Sequence, residues 1–177
     1  EQWLNDRERS LEIRLRLPRL IRMIGTQRAA EVLLFSNIQD DAFLRYRIAL
    51  ALSGMRSNPN IRFNRQWTLE AVERRLESYR YYRPIYQRLR TFLAPDVIVL
   101  RALWERLEQN LEIIFRLLGL IYPHRTMMNV FYKLQSRHQP DWADALELLE
   151  NILEHEMRQS LFPLLETHRH LCQLPEN

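Results

Sequence analysis

Apolar residues recur along this chain at spacings of three and four and nowhere alternate over a strand's length, so the pattern predicts helices and no sheet. After Asp6, a candidate N-cap, Ile13, Leu17, Leu20 and Ile24 form one stripe, with Arg9, Glu12, Arg16 and Arg19 opposite. Gly25 closes that helix, and Pro18 within it predicts a kink near Arg14. Thr26 caps a second helix expected through Ile38, and Asp40 or Asp41 caps a third through Met55. SNPN at 57–60 breaks the chain before a long helical stretch from near Asn64 toward Leu93. Val72, Leu76 and Tyr79 mark its buried side, and Pro84 predicts a second kink or break. Pro95 and Asp96 signal a helix start. Leu100, Trp104, Leu107, Leu111, Ile114, Leu118 and Ile121 then give the strongest helical stripe, which Pro123 ends. Further helices are expected near 124–136, 141–153 and 155–170, with Pro163 interrupting the last.

The chain also repeats itself. RMIG at 22–25 returns as RLLG at 116–119, each string read as closing a helix before a second helix, an acidic cap and a third. DAFLRYRIALALSGM from Asp41 matches DWADALELLENIL from Asp141 in placement. Helical hairpins of this kind bury their apolar faces only by stacking. The fold class expected is therefore all-α: a short right-handed α-solenoid of helical hairpins with a longer helical insert. Residues 1–177 form one domain in this reading, with repeat-like units at about 8–55 and 110–153. The insert takes about 64–109, and a C-terminal capping helix takes about 155–170.

Asp40 to Met55, with Leu44 and Arg45 one turn in and Ile48, Ala49, Ala51 and Leu52 behind, resembles the second helix of a HEAT repeat. Pro18 is similar to the proline that often kinks the first helix of such a repeat. The resemblance implies that Asp40 or Asp41 caps the helix and that Arg45 stacks with its counterparts in adjacent repeats. Ala143 and Asp144 stand where the second copy would need its arginine, which leaves a continuous ladder in doubt. The two copies cover somewhat over half of the chain. ERLEQNLEIIFRLLGLIYP at 105–123, with ALELLENIL and LFPLLE after it, looks like the HEAT region of large bacterial membrane proteins. In those proteins a nucleotide-transporter-like or major-facilitator-like membrane part is joined to HEAT repeats and often to a cyclic-nucleotide-binding domain. That likeness implies an excised cytoplasmic module, tethered to the membrane through flanking segments.

Composition and charge change this picture in one respect. With 46% apolar and 27% charged residues, the chain has the make-up of a globular domain rather than a disordered tail. No apolar run reaches the ~18 to 20 residues a membrane-spanning helix needs, and the chain opens without a basic-then-apolar leader. Lone Cys172 has no internal disulfide partner. The basic residues are 25 arginines and one lysine, Lys133. Residues 1–92 hold 18 arginines against 10 acids, and residues 93–177 hold 8 basic groups against 12 acids. A charged partner is thus expected to meet the N-terminal half, although arginine in place of lysine throughout is also a simple compositional habit.

The densest interaction-like segment is RYYRPIYQR, where Tyr81, Tyr82 and Tyr86 interleave with Arg80, Arg83 and Arg88. Such residues stack on bases and grip phosphates, but they equally pack at a core edge with wet hydroxyls and snorkelling stems. Arg74 and Arg75 could extend a phosphate-facing patch. His168, His170 and Cys172 carry ligand chemistry at a chain end, without the second ligand pair a metal cage needs. His155, between Glu154 and Glu156, points away from both on a helix. Asn110 is read as a buried or boundary amide, and Trp104 and Trp142 as core anchors. No phosphate loop or nucleophile elbow is present, and no catalytic, cofactor or metal residues are assigned. The expectation is a non-catalytic scaffold that binds other domains of its own polypeptide or another protein. The alternative is a nucleic-acid-binding HEAT-like domain that uses the basic N-terminal half.

Overall fold

The computed structural model describes residues 4, 6, 8, 10–36, 41–136 and 139–173. Among them are eight α-helices and no strand, so the all-α expectation holds. They are α1 (Leu11–Ile24), α2 (Gln27–Phe35), α3 (Ala42–Met55), α4 (Arg65–Arg90), α5 (Ile98–Ile121), α6 (His124–Gln135), α7 (Gln139–Ile152) and α8 (His155–Gln173).

Local chemistry sets several boundaries. Thr26, Asp41 and Asn64 each accept a hydrogen bond from the backbone N–H three residues on, at 3.2, 3.0 and 3.1 Å, and so start α2, α3 and α4. Gly25 ends α1 in the left-handed region at φ 66°, and its carbonyl accepts from Asn58 Nδ2 at 2.9 Å. Asp40 lies outside the described residues; Asp41 is the observed cap of α3. Ser10, not Asp6, occupies the N-cap position of α1, and Val97 precedes α5, two residues beyond Pro95. Helices α1, α4 and α8 continue through Pro18, Pro84 and Pro163, so none of these prolines ends its helix. Gly119 does not repeat the role of Gly25. It sits inside α5, where a Cβ would meet His124 Nδ1 at 2.6 Å.

The long helices α4 and α5 pack along each other as an antiparallel pair, and their partners run from Arg65 with Tyr122 at one end to Tyr86 with Trp104 at the other. On one side of this pair α1 packs on α3 and α3 on α5; on the other, α6 packs on α5 and α7 on α6. Helix α8 turns back onto α4. Along α5 the expected stripe is the core: Leu100, Leu107, Leu111, Ile114 and Leu118 are buried. Helix α3 buries residues around most of its circumference because it lies between α1, α2 and α5.

Most of the stripe expected on α1 is turned outward: Ile13, Leu20 and Ile24 are 49%, 55% and 65% exposed, whereas its Leu17 packs against the core with Leu15 and Ile21, beside the buried Pro18. Among the described helices α1 packs chiefly on α3 and α2, and Arg14 Nε donates to the Leu4 carbonyl at 3.0 Å. Its apolar residues offer two overlapping stripes, and α3 selects the other one. Arg22 reaches across to α3, where its guanidinium lies against Gly54.

Candidate functional site

Three helices carry arginines to one place. Helix α3 contributes Arg45 from its first turn, α4 contributes Arg74 and Arg75, and α5 contributes Arg106. Arg45 is 8% exposed, an uncommon degree of burial for this residue type. Burial and the nearby Arg106 charge lower its pKa, against the opposing pull of Tyr82 and Asp41. Burial, followed by the Arg45, Arg74 and Arg106 charges, pulls Arg75 down to about 10, with Glu77 opposing. Arg106 lies over the Tyr82 ring at 4.3 Å, where the aromatic face supplies part of the missing negative potential.

A small cavity of about 50 Å³, open to solvent, adjoins the cluster. Arg45, Arg74 and Arg75 line it together with Ser36 and an apolar wall drawn from α2, α3, α4 and α5, including Leu33, Ile48, Ala71 and Ile113. Among its described lining residues there is no carboxylate. Neither Arg74 nor Arg75 joins an ion pair among the described residues. Guanidinium groups bind and orient anions through a planar fork of donors but exchange no proton at neutral pH. The arrangement is thus built for holding an anionic group beside an apolar one.

The Arg/Tyr segment lies farther along α4, in the seam with α5 and α8. Arg80 pairs with Glu73 at 2.7 Å and donates to the Ser160 carbonyl at 3.3 Å. Arg83 donates to Thr167 Oγ1 at 3.3 Å, and Arg90, outside the expected set, donates to the Leu171 carbonyl at 3.2 Å. Tyr82 meets Arg106, and Tyr86 packs on Trp104 with ring centroids 5.5 Å apart. Tyr81 is exposed and edge-on to Tyr82, and Arg88 is exposed. Most of the segment therefore has an intramolecular use, which is to fasten α8 to α4 and α5.

At the centre of this seam Tyr79 Oη and His168 Nδ1 lie 2.8 Å apart, with the proton on either atom according to the imidazole tautomer. His168 is 2% exposed and stacks on Trp104 with an interplanar angle of 7° and centroids 5.2 Å apart. Burial pulls its pKa down to about 4 and pushes that of Tyr79 up, so both groups are neutral at pH 7. His170 is exposed and does not join His168, and no group of three potential metal ligands gathers among the described residues. His155 is exposed and bonds Gln159 at 2.8 Å. Asn110 is buried on α5, and its Nδ2 has no acceptor among the described residues. Trp142 is a core residue, with Arg169 over its ring at 5.5 Å.

Sequence reasoning placed Arg45 in a repeat contact and Arg74 with Arg75 in a surface patch, but it missed Arg106 and the convergence of all four. The available signal is arginine beside core positions: Arg45 follows Leu44, Arg75 precedes Leu76, and Arg106 precedes Leu107, each of these leucines being fully buried. No protein-family model matches the chain, and neither a curated protein nor a solved structure matches it.

Proposed function

We propose that the chain is a non-catalytic helical-repeat interaction module whose binding point is the arginine-lined cavity between α2, α3, α4 and α5. The observation that carries this reading is that Arg74 and Arg75 line the cavity, join no ion pair among the described residues and face no carboxylate among the described residues of its wall, with the Arg45 and Arg106 charges close to Arg75. Like charges brought together and partly buried oppose one another, and an anionic partner relieves that cost on binding. In this reading α1 to α3 and α5 to α7 are HEAT-like hairpin units of a short right-handed solenoid. The neighbour-to-neighbour packing of those helices supports it, and the return of α8 onto α4 is its capping contact. The resemblance noted above extends the proposal to a cytoplasmic regulatory part of a larger membrane-transporter-like protein. In keeping with that, no helix of the described residues is long and apolar enough to cross a membrane. A reading frame with apolar spans beside these residues would support the transporter link, and one without them would remove it.

Binding at the cavity is tested by thermal unfolding at fixed ionic strength. Inorganic phosphate is expected to raise Tm above the value in chloride, and the double variant Arg74→Gln, Arg75→Gln is expected to lose that gain. An equal Tm in phosphate and chloride would remove the cavity as a binding point for anions. Tight duplex DNA binding that falls steeply with salt and survives the double variant would favour the nucleic-acid alternative.

A further inference from the structure

The hairpin of α4 and α5 ends in a turn that the cavity reading does not use. After Arg90, whose guanidinium donates to the Leu171 carbonyl, the chain runs through residues 91–97 and enters α5 at Ile98. Phe92 and Ile98 are 79% and 82% exposed, the highest values among the large apolar side chains of the described residues, and Val99 is exposed beside them. Turns that face water are ordinarily polar. The cations here stand just behind the apolar tip: Arg88 and Arg101 are exposed and join no ion pair among the described residues. Asp96 is the one acid between positions 88 and 101. The turn also closes its own backbone. Phe92 and Leu93 N–H both donate to the Leu89 carbonyl at 3.0 Å, Val97 N–H donates to the Ala94 carbonyl at 3.1 Å, and Pro95 has no N–H to satisfy. Such a turn can leave water without giving up those hydrogen bonds. The outward face of α1 is apolar too, but its Arg16 is already paired with Glu12 at 2.6 Å and nothing in the structure says what covers that face.

We propose that the α4–α5 turn is a peripheral membrane-contact site, in which Phe92, Ile98 and Val99 enter the surface layer of an anionic lipid bilayer while Arg88 and Arg101 meet the lipid phosphates. The order of chemistry along the hairpin favours a bilayer over a protein surface, because a bilayer always sets its negative layer outside its apolar one. The depth fits as well. Apolar groups of peripheral segments lie ~5 to 10 Å into the headgroup boundary, and Arg88 precedes Phe92 by about one helical turn, ~5.4 Å along an axis. The contact is superficial and needs no spanning helix; none occurs among the described residues. It is separate from the arginine-lined cavity and does not rest on anion binding there.

The test is co-sedimentation of the whole chain with vesicles of phosphatidylcholine alone and of equal parts phosphatidylcholine and phosphatidylserine. Binding to the anionic vesicles is expected, about tenfold or more tighter than to the neutral ones and weakening with salt. The double variant Phe92→Ser, Ile98→Ser should bind about tenfold or more weakly. Arg88→Gln and Arg101→Gln should each lose about fivefold, and Asp96→Asn should gain about as much. These side chains are exposed, so Tm should stay at the parent value; should the serine variant unfold, the arginine variants and a label carry the test. A solvatochromic label at Phe92→Cys in a Cys172→Ser background should shift to the blue on anionic vesicles, and the same label at Met23→Cys on α1 should not. The variant Arg74→Gln, Arg75→Gln should bind vesicles as the parent does. Loss of binding in that variant, with the serine variant unaffected, would assign the lipid contact to the cavity and overturn this inference. Absence of binding to either vesicle would overturn it and leave the cavity reading standing. Self-association abolished by the serine variant, without vesicle binding, would instead make the turn a contact between copies of the chain.

Discussion

In its first half α4 carries Arg74 and Arg75, which line the cavity and join no ion pair among the described residues, with Arg75 near the Arg45 and Arg106 charges. In its second half the same helix meets α5 and α8 through Arg80, Arg83 and Arg90, each bonded to α8, around the buried Tyr79 and His168. Both halves are rich in arginine, although the first also carries Glu70, Glu73 and Glu77 and the second four tyrosines, and the arginines of the two halves are used differently. What separates them is the partner: α8 presents the Ser160 and Leu171 carbonyls and the Thr167 hydroxyl, whereas α3 and α5 present further arginines. Arginine content therefore says little about function by itself. A guanidinium bonded to a neighbouring helix fastens the fold, and one beside further cations gains from an added anion.

If the α8 seam is the tightly built half, damage there has the largest effect. Tyr79→Ala removes a fully buried ring and leaves His168 without its partner, at an expected cost of about 3–5 kcal/mol. That corresponds to a fall in Tm of roughly 10 °C for a chain of this size. A cost under about 1 kcal/mol in urea unfolding would show that the seam is loosely held and would erase the contrast between the halves.

Acid provides a second probe of the same seam. Folded His168 takes up a proton only near pH 4, and the unfolded chain does so near pH 6.5. Between these values the unfolded state binds the extra proton, so stability is unaffected above pH 6.5 and declines as pH falls to about 4. The slope is about 1.4 kcal/mol per pH unit, for a total of about 3 kcal/mol. Glu108 acts in the opposite sense at the acid end, because burial and Glu105 raise its pKa. The difference between the parent protein and His168→Phe isolates the histidine. Phenylalanine keeps an aromatic face for Trp104 and cannot protonate, so its stability profile should be flatter over this range. Parallel profiles would mean that His168 remains hydrated in the folded protein.

The elements legible in the sequence are those governed by neighbours a few residues away. Thr26, Asp41 and Asn64 announce three helix starts through their own side chains, and the α5 stripe is visible because its regularly spaced large apolar residues enter the core, although off-stripe residues such as Ile113, Phe115 and Leu117 are buried as well. Where two local patterns compete, tertiary contact decides. On α1 the more regular stripe is split: Ile13, Leu20 and Ile24 stay outward, and only its Leu17 joins the side that packs on the core. The echo of RMIG in RLLG misled for a related reason: Gly25 is used for its positive φ, and Gly119 for the room it leaves beside His124. The arginine cluster had least chance of being read in advance. Its members are separated by up to 61 positions in sequence and come together only through the packing of α3, α4 and α5. The Arg/Tyr run was conspicuous because it is contiguous, yet most of it serves the seam.

The smallest expected effect bears most directly on Arg74 and Arg75 of α4. Arg75→Met keeps a long flexible stem against the apolar wall and removes the cation that Arg45, Arg74 and Arg106 oppose. A buried or half-buried charge without a counterion costs stability, and its replacement by an apolar group of similar reach is commonly stabilising. Arg75 keeps part of its hydration, so the gain should be modest: about 1 kcal/mol, or a rise in Tm of about 2–4 °C in anion-free buffer. The gain should shrink with added salt, which screens the repulsion in the parent protein. In the seam, Arg80→Ala should instead lose up to about 1 kcal/mol, because it removes a bonded group. The opposite signs of these two substitutions on one helix are what the comparison requires. A loss of stability in Arg75→Met would mean that the guanidinium is already satisfied, and the cavity would then have no unmet charge to offer an anion.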